Sequence, residues 1–249
     1  LGRFSTTLVN AYVQPITQTY LNKMKSRLNS AKIKCNFTVI SSRGKSITLD
    51  TAIRFPVRLL ESGPAAGAYS ASQFARKLDE KNLLSFDMGG TSAKVCLIRN
   101  FEAETTVEFE AARIARFKRK SGLPIRIPVV DLIEIGAGGG SIARIDSLGL
   151  PTVGPTSAGS EPGPICYSRG GESVTVTDVD LVLGFLNSDY FLGGELPLNR
   201  TNAVLSIDKQ IARALNMNVD DAAWSIFSMV NDQMARAAAV HASEIGVDL

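Results

Sequence analysis

Histidine is nearly absent from this sequence, which holds a single one, His241. A site built from several histidines of this chain is therefore excluded. Cysteine is scarce as well: Cys35, Cys96 and Cys166 are odd in number, far apart and without a C-x-x-C pair. That excludes a disulfide framework and a cysteine zinc site, and it fits a reducing cytoplasm. No uninterrupted apolar run reaches the roughly 18 residues of a membrane-spanning helix, and Leu1-Gly2-Arg3-Phe4-Ser5 lacks the basic-then-apolar layout of a signal peptide. An excess of one charge is missing too. Lys and Arg total 27 against 24 Asp and Glu, a net charge of +3 that argues for neither nucleic acid nor a membrane surface.

What is present is a globular composition. The 249 residues are 45% hydrophobic and 20% charged, enough for one large domain or two small ones. The first residue is not Met, and the last residues, Val247-Asp248-Leu249, directly follow a helical pattern, so the chain reads as an internal fragment of a larger protein.

Residues 5–29 are expected to form a helix, with Leu8, Tyr12, Ile16, Tyr20, Met24 and Leu28 as its apolar face, Val9, Val13 and Leu21 beside them, and Pro15 kinking it or marking its true first turn. Residues 35–40 read as a strand ending in the turn Ser41-Ser42-Arg43-Gly44. Gly63-Pro64 opens an Ala-rich helix over about 64–80 that can pack closely on a sheet. The order strand, Gly-Gly turn, strand follows over 83–98, with Leu83-Leu84-Ser85-Phe86 as a buried strand. Residues 101–120, ending Arg116-Phe117-Lys118-Arg119-Lys120, read as a solvated hairpin or loop. Val129 to Ile135 reads as one strand, Ile142 to Ile145 as another, and 149–172 as a long Gly/Pro-rich shaped loop. Thr177 or Asp178 is expected to cap a short helix, and a final helix spans about 220–243 with a buried stripe that includes Phe227, Val230, Met234, His241 and Ile245.

Asp87-Met88-Gly89-Gly90-Thr91-Ser92 is the segment richest in chemistry. Two glycines in a tight turn let backbone N–H groups approach a phosphate, Thr91 and Ser92 add hydroxyl donors, and Asp87 can hold Mg²⁺ or its water shell. Neither a Walker A loop nor a Rossmann turn fits, because no Gly-Lys-Ser/Thr and no helix follow. Gly136-Ala137-Gly138-Gly139-Gly140-Ser141 is a second glycine turn, expected to face the ligand with Ser141 as donor and Asp131 and Glu134 near its mouth. Cys166 reads as a small buried hydrophobe and His241 as a hydrogen-bonded core residue.

Phe86 to Ser92 resembles the second phosphate-binding segment of the hydantoinase A/5-oxoprolinase family. Further likenesses run in order: Phe4 to Val13, Leu60 to Gly67, Ile135 to Ala143, Val153 to Tyr167, Thr175 to Leu183, Phe191 to Gly194, and the closing helix with Met234-Ala235 and Ser243 to Gly246. The resemblance implies one α/β domain over 1–249, incomplete at both ends. Its fold would be the actin-like/sugar-kinase (ribonuclease-H-like) ATPase fold, covering mainly the second lobe. It implies ATP and Mg²⁺ as cofactors, held by Asp87, Gly89, Gly90, Thr91 and Ser92, with Gly138, Gly139, Gly140 and Ser141 near the cleft and Asp87 on the metal. Many members continue the first loop with Thr-Asp, where this chain has Ala93-Lys94; Lys94 is then a candidate phosphate contact. Glu161 also departs from the small or Asp residue expected there.

The activity implied is ATP-dependent opening of a cyclic amide such as hydantoin, N-methylhydantoin or 5-oxoproline, through phosphorylation of the amide oxygen. Alternatives are the ATP-hydrolysing subunit of an acetone- or acetophenone-type carboxylase, or a non-catalytic actin-like nucleotide-binding scaffold. The resemblance also implies a hydantoinase B-type partner subunit or domain in a cytoplasmic hetero-oligomer. The family's first phosphate loop and adenosine segment are not in this stretch, so the fragment alone is expected to bind ATP weakly.

Overall fold

The computed structural model describes residues 2–111, 121–244 and 246–247. Within the expected single domain it separates two compact units: Leu1–Asp87 with Val95–Leu132, and Met88–Lys94 with Ile133–Leu249. Met88–Lys94, the Gly-Gly turn with the last residue of the strand before it and the first two of the strand after it, thus belongs to the second unit.

The first unit opens with helix α1, Gly2–Ser30, which runs unbroken through Pro15. Pro15 and Ala11 both lie on the exposed side, so the carbonyl freed by the missing N–H meets solvent. The expected apolar face is corrected. Leu8, Tyr12, Ile16 and Tyr20 are all exposed, Tyr12 by 84%, while Ser5 and Leu21 are buried and Val9 and Val13 half-buried. The row that is covered, Ser5, Val9, Val13 and Leu21, lies one residue later, and one residue turns the helix by about 100°, so the row before it faces solvent. Ser5 Oγ donates to Pro124 O (2.5 Å) and Arg126 N to Thr6 Oγ1 (2.8 Å), tying α1 to the segment that supplies Ile125 and Ile127.

The hairpin β1–β2 (Thr38–Ile40, Ser46–Thr48) leads into helix α2 (Leu49–Arg54), which packs Leu49 and Ala52 against Leu21 of α1. Helix α3, Ser62–Leu78, sets Ala65 and Ala68 against Cys96 and Val130, the close helix-on-sheet packing its alanines allow. Strand β3 (Leu83–Met88) pairs with the buried β4 (Ala93–Arg99). β3 ends the strand order of its sheet and leaves Leu84, Phe86 and Met88 exposed, so it is not the buried strand expected. Short strands β5 (Glu102–Ala103), β6 (Thr105–Thr106), β7 (Phe109–Ala111), β8 (Leu123–Ile125) and β9 (Val129–Val130) complete this unit, β7 pairing with β8. Part of the expected basic loop, including Arg116–Lys120, lies outside the described residues.

The expected strand 129–135 is two, β9 and β10 (Ile133–Ile135), with the unit boundary between them. In the second unit, β11 (Ser141–Ile145) pairs antiparallel with β12 (Pro151–Ser157), so the first part of the expected long loop is strand. Helix α4 (Val176–Val182) is capped by Thr175, not by Thr177 or Asp178 as expected, and Asp178 completes a reciprocal capping box. Helix α5 (Arg200–Ile207) passes through a π-turn at Asp208–Ala212 into the short α6 (Arg213–Leu215). Helix α7, Val219–Glu244, buries Ile226, Val230, Met234 and His241 and packs on α4; Ile245 lies outside the described residues. His241 is buried as expected, but neither ring nitrogen has a hydrogen-bond partner among the described residues.

Candidate functional site

The Gly-Gly turn between β3 and β4 and the glycine turn before β11 interlock within the second unit. Gly139 N donates to Gly89 O (3.0 Å) and Gly140 N to Gly90 O (2.7 Å). Gly138 N donates to Ser141 Oγ (2.9 Å), and Ser141 N returns to Gly138 O (3.0 Å). All four N–H groups of Gly138 to Ser141 are thus committed inside the protein, and Gly138, Gly140 and Ser141 are buried. The glycines are needed here for closeness. A Cβ on Gly138 would stand 2.6 Å from Gly89 O, and one on Gly140 would stand 2.8 Å from Gly90 O. This second turn therefore backs the first, and its donors do not point outward to a ligand as its sequence suggests.

The first turn is free by contrast. Gly89 N closes it by donating to Ser92 O (2.9 Å), and Gly90 O also accepts from Ser157 Oγ (3.4 Å). Among the described residues no acceptor takes the N–H of Gly90, Thr91 or Ser92, and no partner holds the Thr91 and Ser92 hydroxyls. Gly89, Gly90 and Thr91 are exposed and Ser92 half-buried. Consecutive unspent N–H groups beside two hydroxyls are what an anion needs. Asp87, exposed on β3, precedes them. Lys94 is half-buried and already engaged.

A third layer holds the second turn. Thr177 N and Thr177 Oγ1 both donate to Gly139 O (2.8 Å each), and Ala158 N donates to Gly140 O (2.8 Å). Behind Thr177, the fully buried Asp178 carboxylate accepts from Ile165 N (3.3 Å), Cys166 N (2.7 Å), Thr175 N (2.9 Å) and Thr175 Oγ1 (2.8 Å). Four donors on one carboxylate offset its desolvation and join the Gly/Pro loop to α4. Sequence reasoning found Asp178 as a cap and missed this wider role; the legible signal was an acid at the third helical position with no Lys or Arg nearby in sequence.

Of the two acids expected near the mouth of the second turn, Asp131 belongs to the first unit and Glu134 to the second, two residues before Gly136. Burial raises the Cys166 thiol well above its usual range, with the Asp178 charge adding to the effect. Burial likewise pushes Cys96 up to about 12, helped by Asp131. Neither thiol is a nucleophile near neutral pH. Half-burial lifts the Asp180 carboxyl on α4 to about 6.

The sequence profile of a family described as Hydantoinase/oxoprolinase matches residues 3–249. The caprolactamase subunit alpha of Pseudomonas jessenii is 34% identical over 93% of this chain and 32% of its own length. The acetophenone carboxylase gamma subunit of Aromatoleum aromaticum is 36% identical over 94% of this chain and 31% of its own. A nucleotide-free structure of acetone carboxylase, solved for the mechanism of ATP-dependent acetone carboxylation, superposes with a TM-score of 0.75 at 30% identity, over 91% of this chain and 31% of that one. This chain thus spans about a third of the length of these relatives and shares the α/β fold of an ATP-dependent enzyme, in keeping with the actin-like ATPase architecture. The chain belongs to the hydantoinase/oxoprolinase family.

Proposed function

We propose that this chain supplies one phosphate-binding wall of an ATP-dependent enzyme that opens a cyclic amide. The observation that carries the proposal is the run of unspent donors at Gly90, Thr91 and Ser92, held on a turn whose backing is fully hydrogen-bonded. Preorganised donors of this kind stabilise phosphate charge without reorganising when the phosphoryl group moves. Gly90 and Thr91 N–H, with the Thr91 and Ser92 hydroxyls, bind and orient the phosphate oxygens. Asp87 is the residue to hold Mg²⁺, since one carboxylate with phosphate oxygens and water is a usual set for that ion; the ion, when bound, neutralises charge on the phosphates. Gly138 to Ser141 act from behind by fixing the turn, and Lys94, two residues past Ser92, is a candidate for a further phosphate contact.

The similarity to an acetophenone carboxylase subunit favours a second reading, an ATP-hydrolysing carboxylase subunit. The two readings share the phosphate wall and differ in the acceptor of the phosphoryl group. Because the relatives are described as subunits, the complete enzyme is proposed to be a hetero-oligomer with a hydantoinase B-type partner.

The test is ADP release by the full-length polypeptide with its partner, given Mg²⁺ and ATP, across hydantoin, N-methylhydantoin, 5-oxoproline, caprolactam, and acetone with bicarbonate. One ring amide is expected to stimulate release. Thr91→Val and Asp87→Asn are each expected to lower kcat/KM for ATP roughly 10- to 100-fold, the range for a lost hydrogen bond or ion contact to a charged group. Release that no compound stimulates, with both variants behaving as wild type, would leave the scaffold role as the better account.

A further inference from the structure

We infer that Thr177 is a positioning residue for the nucleotide phosphates, acting through Gly139 without touching the ligand; this rests on the reading of residues 87–92 as a phosphate turn. Thr177 is held in place before it does anything. Asp178, fully buried, fastens the first turn of α4 to Thr175 and to the backbone of Ile165 and Cys166. From that fixed turn Thr177 aims two donors, N–H and Oγ1–H, at the single oxygen of Gly139 (2.8 Å each).

The peptide units on either side of Gly139 pass the constraint on. Gly139 N reaches Gly89 O (3.0 Å), and Gly140 N reaches Gly90 O (2.7 Å). A Cβ built on Gly139 would meet Thr177 Oγ1 at 2.9 Å, so the hydroxyl also limits how far this peptide can rotate. On the open side of the first turn there is no such restraint, since nothing stands within 4 Å of where a Cβ on Gly90 would be. The outward N–H groups of Gly90 and Thr91 are therefore aimed by what grips the carbonyls behind them. The hydroxyl of Thr177 is the far end of that grip.

The Tyr167 phenol neighbours the Thr177 side chain, which supplies a control. The experiment uses the full-length polypeptide with its partner, measuring KM for ATP, kcat and melting temperature for Thr177→Val, Thr177→Ser, Tyr167→Phe and Thr91→Val. Thr177→Val removes the Oγ1 donor and keeps the backbone bond. It is expected to raise KM for ATP roughly three- to ten-fold with kcat within about two-fold, as one hydrogen bond allows. Thr177→Ser should restore the wild-type KM, and Tyr167→Phe should leave it unchanged.

A lower melting temperature with wild-type KM would overturn the inference, because Thr177 would then be structural only. An equal rise of KM in Tyr167→Phe would overturn it too, by moving the effect to the phenol. If Thr91→Val leaves ATP use unaltered, the phosphate-turn reading itself fails; if Thr91→Val acts and Thr177→Val does not, only this inference fails. Should Thr177→Val not fold, Thr177→Ala is read by the same criteria.

Discussion

At the scale of single residues, burial decides which polar groups are chemistry and which are scaffolding. Cys166, buried against Asp178, and Cys96, buried in β4, are held as thiols, which for Cys166 agrees with reading it as a small buried hydrophobe. Asp180 is different because its carboxyl is lifted to about 6 by half-burial alone. A raised carboxyl means that the fold favours the protonated form. The stability this contributes is complete below the ordinary value near 3.8 and is lost as pH rises through about 6. Asp180→Asn keeps the shape and removes the titration. At pH 7.5 it is expected to stabilise the second unit by about 1 kcal/mol, after discounting for the solvent that still reaches a half-buried group. Thermal melts at pH 4 and 7.5 check this: the gain should vanish at pH 4, and an equal gain at both values would assign it to packing instead.

At the scale of elements, the sequence was legible wherever one local rule decided the outcome. Helices α1, α3, α4 and α7 were found, as were the alanine face of α3 and the strand–turn–strand around Gly89-Gly90. On α1 the row Leu8, Tyr12, Ile16 and Tyr20 faces solvent while Val9, Val13 and Leu21, one residue on and about 100° round the helix, turn inward; with apolar residues in both rows, the sequence does not say which one is covered. The exposure of β3 was not legible at all, because a strand's place in a sheet depends on residues distant in sequence. For the same reason the two glycine turns looked alike, although one offers its donors to solvent and the other spends them on the first. Alanine separates the two roles. Gly138→Ala places a Cβ 2.6 Å from Gly89 O and 2.8 Å from Ser92 N, both backbone atoms that cannot step aside. It is expected to cost about 2 kcal/mol or more and to abolish ATP turnover. Gly90→Ala meets nothing within 4 Å, so its melting temperature should stay within about 2 °C of wild type while KM for ATP rises. Equal melting temperatures for the two variants would contradict the interlocked turns.

At the scale of the molecule, the second compact unit takes residues 88–94 out of a stretch that otherwise belongs to the first. The proposed phosphate donors are thus carried by that short segment, and their backing comes from β11, β12 and α4 of the same unit. Family and fold were legible because the ordered motifs extend over nearly the whole chain; the acceptor of the phosphoryl group was not, because the phosphate wall performs the same task in both proposed reactions. A ring amide activated at its oxygen is attacked by water and gains no carbon. A ketone activated at its oxygen takes a carbon from bicarbonate. Carbon-labelled bicarbonate therefore discriminates between them where ADP release does not. With the full-length polypeptide, its partner, Mg²⁺ and ATP, the ring-opening reading expects stimulation by one cyclic amide, a product without label, and a rate indifferent to bicarbonate. Acid-stable label in a new carboxylate, formed only when a ketone is supplied, would move the enzyme to the carboxylases while leaving the proposed roles of Thr91 and Thr177 intact, since the one is proposed to bind the phosphates and the other to aim the turn that does, before the two reactions diverge.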